Sequence, residues 1–258
     1  QAALSVSAYS RIKPWLSPTP CIPSRQVLTE KTELYYKADN FQKTGSFKFR
    51  GALSKLTSMS TDIPAITASS GNHGLGLSTA AKLTGHNLTV VLPETVAREK
   101  LDKIKALGVE TILHSNDSGI AEQHAQKLAK EQGKIYVSPY NDPQIIAGQG
   151  TAGKEIYEQL MQISIIPDIY LCCCGGGGLI AGTSTYLKDK LPNKWKIEII
   201  DNKTNKELYN KYLQSKIFLS FSHFEGFGLP PLEAAIHGNK IIGYDGGGGK
   251  EYWKKPIF

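Results

Sequence analysis

Apolar and polar positions change their period several times along the 258 residues of this chain. From residue 64 to residue 138 the change is regular. Short apolar runs at Pro64–Thr67, Asn87–Leu92, Glu110–His114 and Lys134–Ser138 read as strands. Between them the period is helical, over Leu75–Leu83, Val96–Leu107 and Ile120–Glu131. In the last of these, Ile120, His124 and Leu128 share one row, with Ala121, Ala125 and Ala129 beside it. Strands alternating with helices of this length predict a parallel α/β sheet. Upstream, a short helical patch is followed by Pro14, Pro18, Pro20 and Pro23, which predict extended chain. Thr32–Lys37 then reads as a strand, and the spacing of Phe49, Leu53 and Leu56 predicts a helix over Phe47–Met59. Downstream, Tyr140–Gly150 reads as a turn-rich connection and Thr151–Met161 as a helix. An apolar strand over Asp168–Cys174 runs into Gly175-Gly176-Gly177-Gly178, with a helix from Leu179. Beyond it come strands at Lys196–Ile200, Lys216–Ser220 and Lys240–Tyr244, and helices at Lys206–Gln214 and Leu229–His237.

Three junctions in this pattern carry chemistry. Lys48 stands at a loop-to-helix junction between Phe47 and Phe49. Apolar neighbours that desolvate an amine lower its pKa from about 10.4, toward the range of a Schiff-base nucleophile. Read locally, a solvated point charge at a helix start stays open beside that. Four glycines between a strand and a helix let backbone N–H groups converge on a phosphate. No Gly-Lys-Ser/Thr follows them and the G-x-G-x-x-G spacing is missing, so neither a Walker loop nor a dinucleotide fingerprint is present. The third junction is the turn Ser69-Ser70-Gly71-Asn72-His73-Gly74. An aldehyde cofactor with a phosphate handle would use all three: the lysine for the aldehyde, the glycines for the phosphate, the asparagine for a phenolic oxygen, and the serine loop for a substrate carboxylate. That description fits pyridoxal 5′-phosphate.

Composition narrows the alternatives. Hydrophobic residues make up 40% and charged residues 21%, which is globular material. The net charge of +7 is scattered, and the basic stretch Lys188–Lys196 interleaves only Trp195, so no nucleic-acid partner is expected. The apolar runs fall short of the ~20 residues of a membrane span, so no membrane partner is expected either. Cys172-Cys173-Cys174 alternate faces in a strand, a poor chelate and a poor disulfide, and with Cys21 they suggest core residues in a reducing setting. No signal peptide is visible, and the expected location is cytoplasmic. His86, His114 and His124 read as packed or surface residues, and no metal site is expected.

Residues 1 to about 190 resemble the fold-type II pyridoxal-phosphate enzymes, in the serine/threonine dehydratase and serine racemase branch. The matching motifs are Asn40–Ala52 (NFQKTGSFKFRGA), Ser69–Gly74 (SSGNHG), Ser138–Gly150 (SPYNDPQIIAGQG) and Gly175–Gly182 (GGGGLIAG). His73 after the loop asparagine and Phe49 after the lysine set the chain apart from cysteine-synthase and threonine-synthase relatives. The resemblance implies a three-layer α/β fold with a large cofactor domain from residues 1–63 and 139–190 and a small domain at 64–138. It implies that Lys48 holds the cofactor and moves the substrate's α-proton, that Phe47 packs on the ring, and that Asn72 bonds the phenolic oxygen. Gly175, Gly176, Gly177 and Gly178 would cradle the phosphate, and Ser69 and His73 would meet the substrate carboxylate. Ser70 stands where racemases place their second base. The implied reaction is β-elimination on a hydroxy amino acid such as L-threonine or L-serine, giving a 2-oxo acid and ammonia. A homodimer is the implied assembly. The small polar residue that faces the ring nitrogen in such relatives has no match here.

The tail, 191–258, is instead similar to the C-terminal domain of retaining GT-B glycosyltransferases. The run Phe224-Glu225-Gly226-Phe227-Gly228-Leu229-Pro230-Pro231-Leu232-Glu233-Ala234 carries that resemblance. It implies that Glu225 once lay near a transferred sugar and Glu233 at a nucleotide ribose, both now relics without their site. The chain thus reads as a composite joined near Leu191–Trp195, with a Rossmann-like βα segment that completes the sheet. Two further readings stay open: a non-catalytic chimeric α/β protein that still binds the cofactor, and a glycosyltransferase fragment.

Overall fold

The computed structural model describes residues 2–25, 33–167, 170–172, 176–188, 190, 204–214, 217–220 and 229–243. Two compact units, Gln1–Lys194 and Trp195–Phe258, divide the chain. The first begins with helix α1 (Ala2–Ile12) and a small antiparallel ribbon, β1 (Cys21–Pro23) against β2 (Tyr35–Lys37). A 3-10 turn at Asp39–Phe41 leads to α2 (Lys48–Leu56). There follow β3 (Ala65–Ala68), α3 (Asn72–Thr84), β4 (Leu88–Leu92), α4 (Arg98–Lys105), β5 (Glu110–Leu113), α5 (Ser118–Glu131) and β6 (Ile135–Tyr136). Helices α6 (Pro143–Gln162) and α7 (Gly178–Leu187) close the unit.

Strands β3 to β6 pair as one parallel sheet in the order β5-β4-β3-β6. Every residue of β4, LTVVL, is buried, as a strand covered on both faces requires. Leu77, Ala80 and Ala81 of α3 and Ile104 of α4 share a core with Leu88, Val90 and Leu92. On the other face Ala121, Ala125 and Ala129 of α5 pack on Ile66 and Val91. The alanine stripe is the buried one, and Ile120 beside it is exposed. The chain moves one way from β3 to β5 and then crosses back to β6. The topological switch therefore lies between β3 and β6, and in open parallel sheets ligands bind beyond the strand ends there. The segments leaving those two strands are Ser69–Gly71 and Val137–Asp142.

α6 corrects one expectation. It starts at Pro143, so residues 143–150 are helix rather than a turn-rich connection. Asp142 caps it, accepting from the N–H groups of Gln144 and Ile145, and Pro143 sits in the first turn, where a missing N–H costs nothing. The small residues that suggested turns instead let two helices touch. A Cβ on Gly148 would stand 2.5 Å from the Arg50 carbonyl oxygen and 2.6 Å from Gly51 Cα. Gly148→Ala is therefore expected to destabilise the first unit by about 2 kcal/mol, the usual scale of overpacking, read as a lower urea midpoint with an unchanged slope.

In the second unit α8 (Asn205–Gln214), β7 (Ile217–Ser220), α9 (Leu229–Ile236) and β8 (Lys240–Gly243) are described. β7 and β8 pair in parallel, with Tyr212, Ala234 and Ile241 as their core. The expected strand at 196–200 and most of the one at 168–174 lie outside the described residues, and 170–172 form no strand. Among the described residues β7 and β8 form a two-stranded sheet of their own, so the expected completion of the first sheet by the tail is not seen there.

Candidate active site

Helix α2 carries three basic groups, and two of them are neutralised. Arg50 pairs with Asp39 and Glu155, and Lys55 pairs with Asp142 at 2.6 Å. Lys48, the first residue of the helix, has no acidic partner among the described residues. Its Nζ donates to the Pro139 carbonyl oxygen at 2.7 Å and lies 5.3 Å from the centre of the Phe47 ring. Burial pushes its pKa below the ordinary lysine value, and a nearby carboxylate that would restore the ammonium is missing among those residues. Gly76 of α3 lets that helix approach the Lys48 and Phe49 backbone.

The glycine turn meets this amine. Phe47, Lys48, Tyr140, Gly176, Gly177 and Gly178 line one cavity of about 260 Å³, with Leu179 and Ile180 completing it. Gly177 has φ +78 and caps α7, whose first residues, Gly178, Leu179 and Ile180, border the cavity and carry N–H groups without a helical acceptor. A Cβ on Gly176 would fall 2.6 Å from Cδ1 of Tyr140, whose ring covers the turn. Gly175 lies outside the described residues.

Ser69 and Ser70 line a second cavity, also about 260 Å³, with Gly71, Pro93, Ser118 and Glu122. Ser69 accepts from the Gly71 N–H at 3.2 Å, which tightens the turn ahead of α3. Asn72 is exposed in the first turn of that helix. His73 is 3% exposed and turns inward. Thr67 Oγ1 gives its own hydrogen to the Val137 carbonyl oxygen at 2.8 Å, so His73 Nε2, 3.2 Å from Thr67 Oγ1, must carry a hydrogen and donate it. Nδ1 has no partner. Burial first, and then the charge of Lys48, push the imidazole down to about 3, although the nearby Val137 backbone favours the protonated form. A neutral, interior imidazole offers a carboxylate no charge, so toward a substrate only the backbone of His73 is available.

The structure thus gathers Lys48, Phe47 and Gly176–Gly178 at one cavity, sets Ser69 and Ser70 at another, and buries the His73 side chain. Glu225 lies outside the described residues, and Glu233 stands half-buried on α9 in the second unit. Sequence reasoning missed Pro139, Tyr140 and Thr67. A backbone carbonyl leaves no side-chain signature, while the position of Tyr140, just beyond the strand flanking the topological switch, was a usable signal. No metal-holding cluster occurs among the described residues, and no helix there is long and apolar enough to cross a membrane.

The donor set suits pyridoxal phosphate: a desolvated primary amine, an aromatic ring beside it, and a glycine turn that a side chain would fill. Comparison with known proteins agrees. The chain is 39% identical over 191 residues to L-threonine dehydratase catabolic TdcB of Staphylococcus aureus, a match covering 72% of this chain and 54% of that protein. The chain thus spans about half the length of that relative. The structure of maize serine racemase superposes with a TM-score of 0.67 at 30% identity, covering 75% of this chain and 59% of the racemase. A pyridoxal 5′-phosphate-dependent aspartate racemase superposes with a TM-score of 0.70 at 27% identity over 95% of this chain and 79% of its own. Residues 12–240 match the family described as pyridoxal-phosphate dependent enzyme, past the division at Lys194, and the chain belongs to that family.

Proposed function

We propose that this chain holds pyridoxal phosphate at Lys48 and acts as an ammonia-lyase on a small hydroxy amino acid such as L-threonine or L-serine. The observation that carries this reading is the single cavity shared by Lys48 and Gly176–Gly178. When bound, the cofactor supplies an electron sink for charge left at the α-carbon of an amino acid. The residues supply the rest. Lys48 Nζ, half-buried beside Phe47 and oriented by Pro139, is the group that would hold the cofactor and take the α-proton. The first N–H groups of α7 receive the phosphate. Asn72, exposed at the start of α3, would offer its amide to the phenolic oxygen. Ser69, Ser70 and the first N–H groups of α3 would receive the substrate carboxylate. Loss of the α-proton and the β-hydroxyl, then hydrolysis, gives the 2-oxo acid and ammonia. The cytoplasm and a homodimer belong to the same proposal, the dimer being checked by sedimentation.

The test is spectroscopic first. Mixing the chain with pyridoxal phosphate is expected to give a visible band that borohydride bleaches, followed by release of 2-oxo acid from serine or threonine in a coupled assay. A chain that stays colourless sinks the reading. Gly177→Ala forces an alanine to φ +78, a strain of about 1–2 kcal/mol at the phosphate end. It is expected to weaken cofactor binding about tenfold in a fluorescence titration, with the Lys48 label retained at saturation.

A further inference from the structure

Arg50 is the largest fully buried side chain among the described residues, and nothing in the proposed chemistry uses it. Its Nε and Nη2 grip both oxygens of Asp39, at 2.7 and 2.8 Å. Nη1 and Nη2 each donate to Glu155 at 2.8 Å, and Thr151 and Thr19 accept at 3.2 and 3.1 Å. Lys37 completes the group, donating to Glu155 at 2.7 Å and to Gln159 at 3.1 Å. Two cations and two anions cancel, so the cluster is tolerable in the interior. Buried ion clusters are nevertheless poor sources of stability compared with apolar packing, and their best-attested use is to fix one arrangement.

The arrangement fixed here surrounds Lys48. Asp39 and Arg50 lie 11 positions apart and staple the segment that holds Phe47 and Lys48. Glu155 and Thr151 belong to α6, which follows directly on the Pro139–Asp142 segment carrying the acceptor of Lys48. The staple therefore sets both ends of the 2.7 Å contact. We propose that Arg50, with Asp39 and Glu155, is a positioning residue for Lys48: its planar fork holds the amine half-buried against the Pro139 carbonyl. This rests on the reading that Lys48 is the reactive amine. A lysine at position 50 keeps the charge but cannot make the forked contacts, which separates geometry from electrostatics.

The experiment is competitive acetylation of the full chain without cofactor, read lysine by lysine by mass spectrometry across pH, with circular dichroism and melting recorded for each protein. In the unmodified protein Lys48 is expected to react at lower pH than exposed Lys43. In folded Arg50→Lys the half-reaction pH of Lys48 is expected to rise by about one unit toward that of Lys43 as water reaches it, with the other lysines unmoved. Borohydride-fixed pyridoxal phosphate on Lys48 should form about tenfold more slowly. A folded Arg50→Lys protein with an unchanged Lys48 profile overturns the proposal. Should Arg50→Lys fail to fold, the isosteric Asp39→Asn carries the same comparison, and loss of folding in both assigns the cluster to structure alone. If Lys48 and Lys43 react alike in the unmodified protein, the reading of Lys48 itself fails and the positioning role falls with it.

Discussion

Lys48→Ala is expected to leave a folded, colourless protein that fixes no pyridoxal phosphate when borohydride is added. The loss should be complete. Among the three basic groups of α2, Arg50 and Lys55 are held by carboxylates, and an amine already paired as an ammonium is no nucleophile. Lys48 alone of the three faces a carbonyl and an aromatic ring. Folding should survive because removing Lys48 breaks one hydrogen bond and leaves only the Pro139 carbonyl, beside an open cavity that water can enter. The sign of the stability change follows from the lowered pKa. Burial penalises the ammonium in the folded state, and that cost is present below the folded pKa and relieved as pH rises from there toward about 10.4. Lys48→Met, which fills the same space without a charge, is therefore expected to raise the melting temperature by a few degrees at neutral pH. Tryptic mapping of borohydride-treated protein checks the first expectation and calorimetry the second. A label elsewhere on the chain, or retained colour in Lys48→Ala, would overturn the assignment.

The elements that could be read in the sequence are those whose side chains do one job. The β3–β6 alternation was readable because short strands rich in apolar residues alternate with amphipathic helices, among them the alanine-striped α5. The lysine, the glycine turn and the serine loop were readable because each breaks that pattern. What could not be read has the opposite character. The start of α6 looks like a turn because its glycines serve a helix contact that lies about a hundred positions away in the sequence. Nothing in the sequence marks Arg50 as interior, and only the fold reveals that Asp39 and Glu155 enclose it. His73 carried a family expectation of contact with substrate, yet the hydrogen bond it makes six positions back to Thr67 aims the ring into the sheet. Local residue type could not distinguish these cases, since all three depend on partners supplied by other elements.

His73 also makes this chain acid-sensitive in a window where carboxylates are silent. Unfolded, its imidazole titrates near 6.5, whereas the folded site holds it neutral down to about 3. The folded state therefore binds fewer protons between these values. Its stability is full above about pH 6.5 and falls with pH by up to about 1.4 kcal/mol per unit, so about 2 kcal/mol is gone at pH 5. Asp39 and Glu155 behave differently. Burial alone would raise both, but the hydrogen bonds and charge of Arg50 outweigh it and hold both below the ordinary carboxylate range. Their contribution is intact above about pH 5 and is lost progressively as pH falls below that. Urea unfolding at pH 8, 6 and 5 separates the two. His73→Gln keeps an N–H for Thr67 and removes the titration, so its curve should be flatter than that of the unmodified protein by about 2 kcal/mol between pH 8 and pH 5, from a lower starting stability. Parallel curves would mean that His73 is not held neutral. The same neutrality spares the site a second positive charge near Lys48, whose own charge helps to hold the imidazole unprotonated.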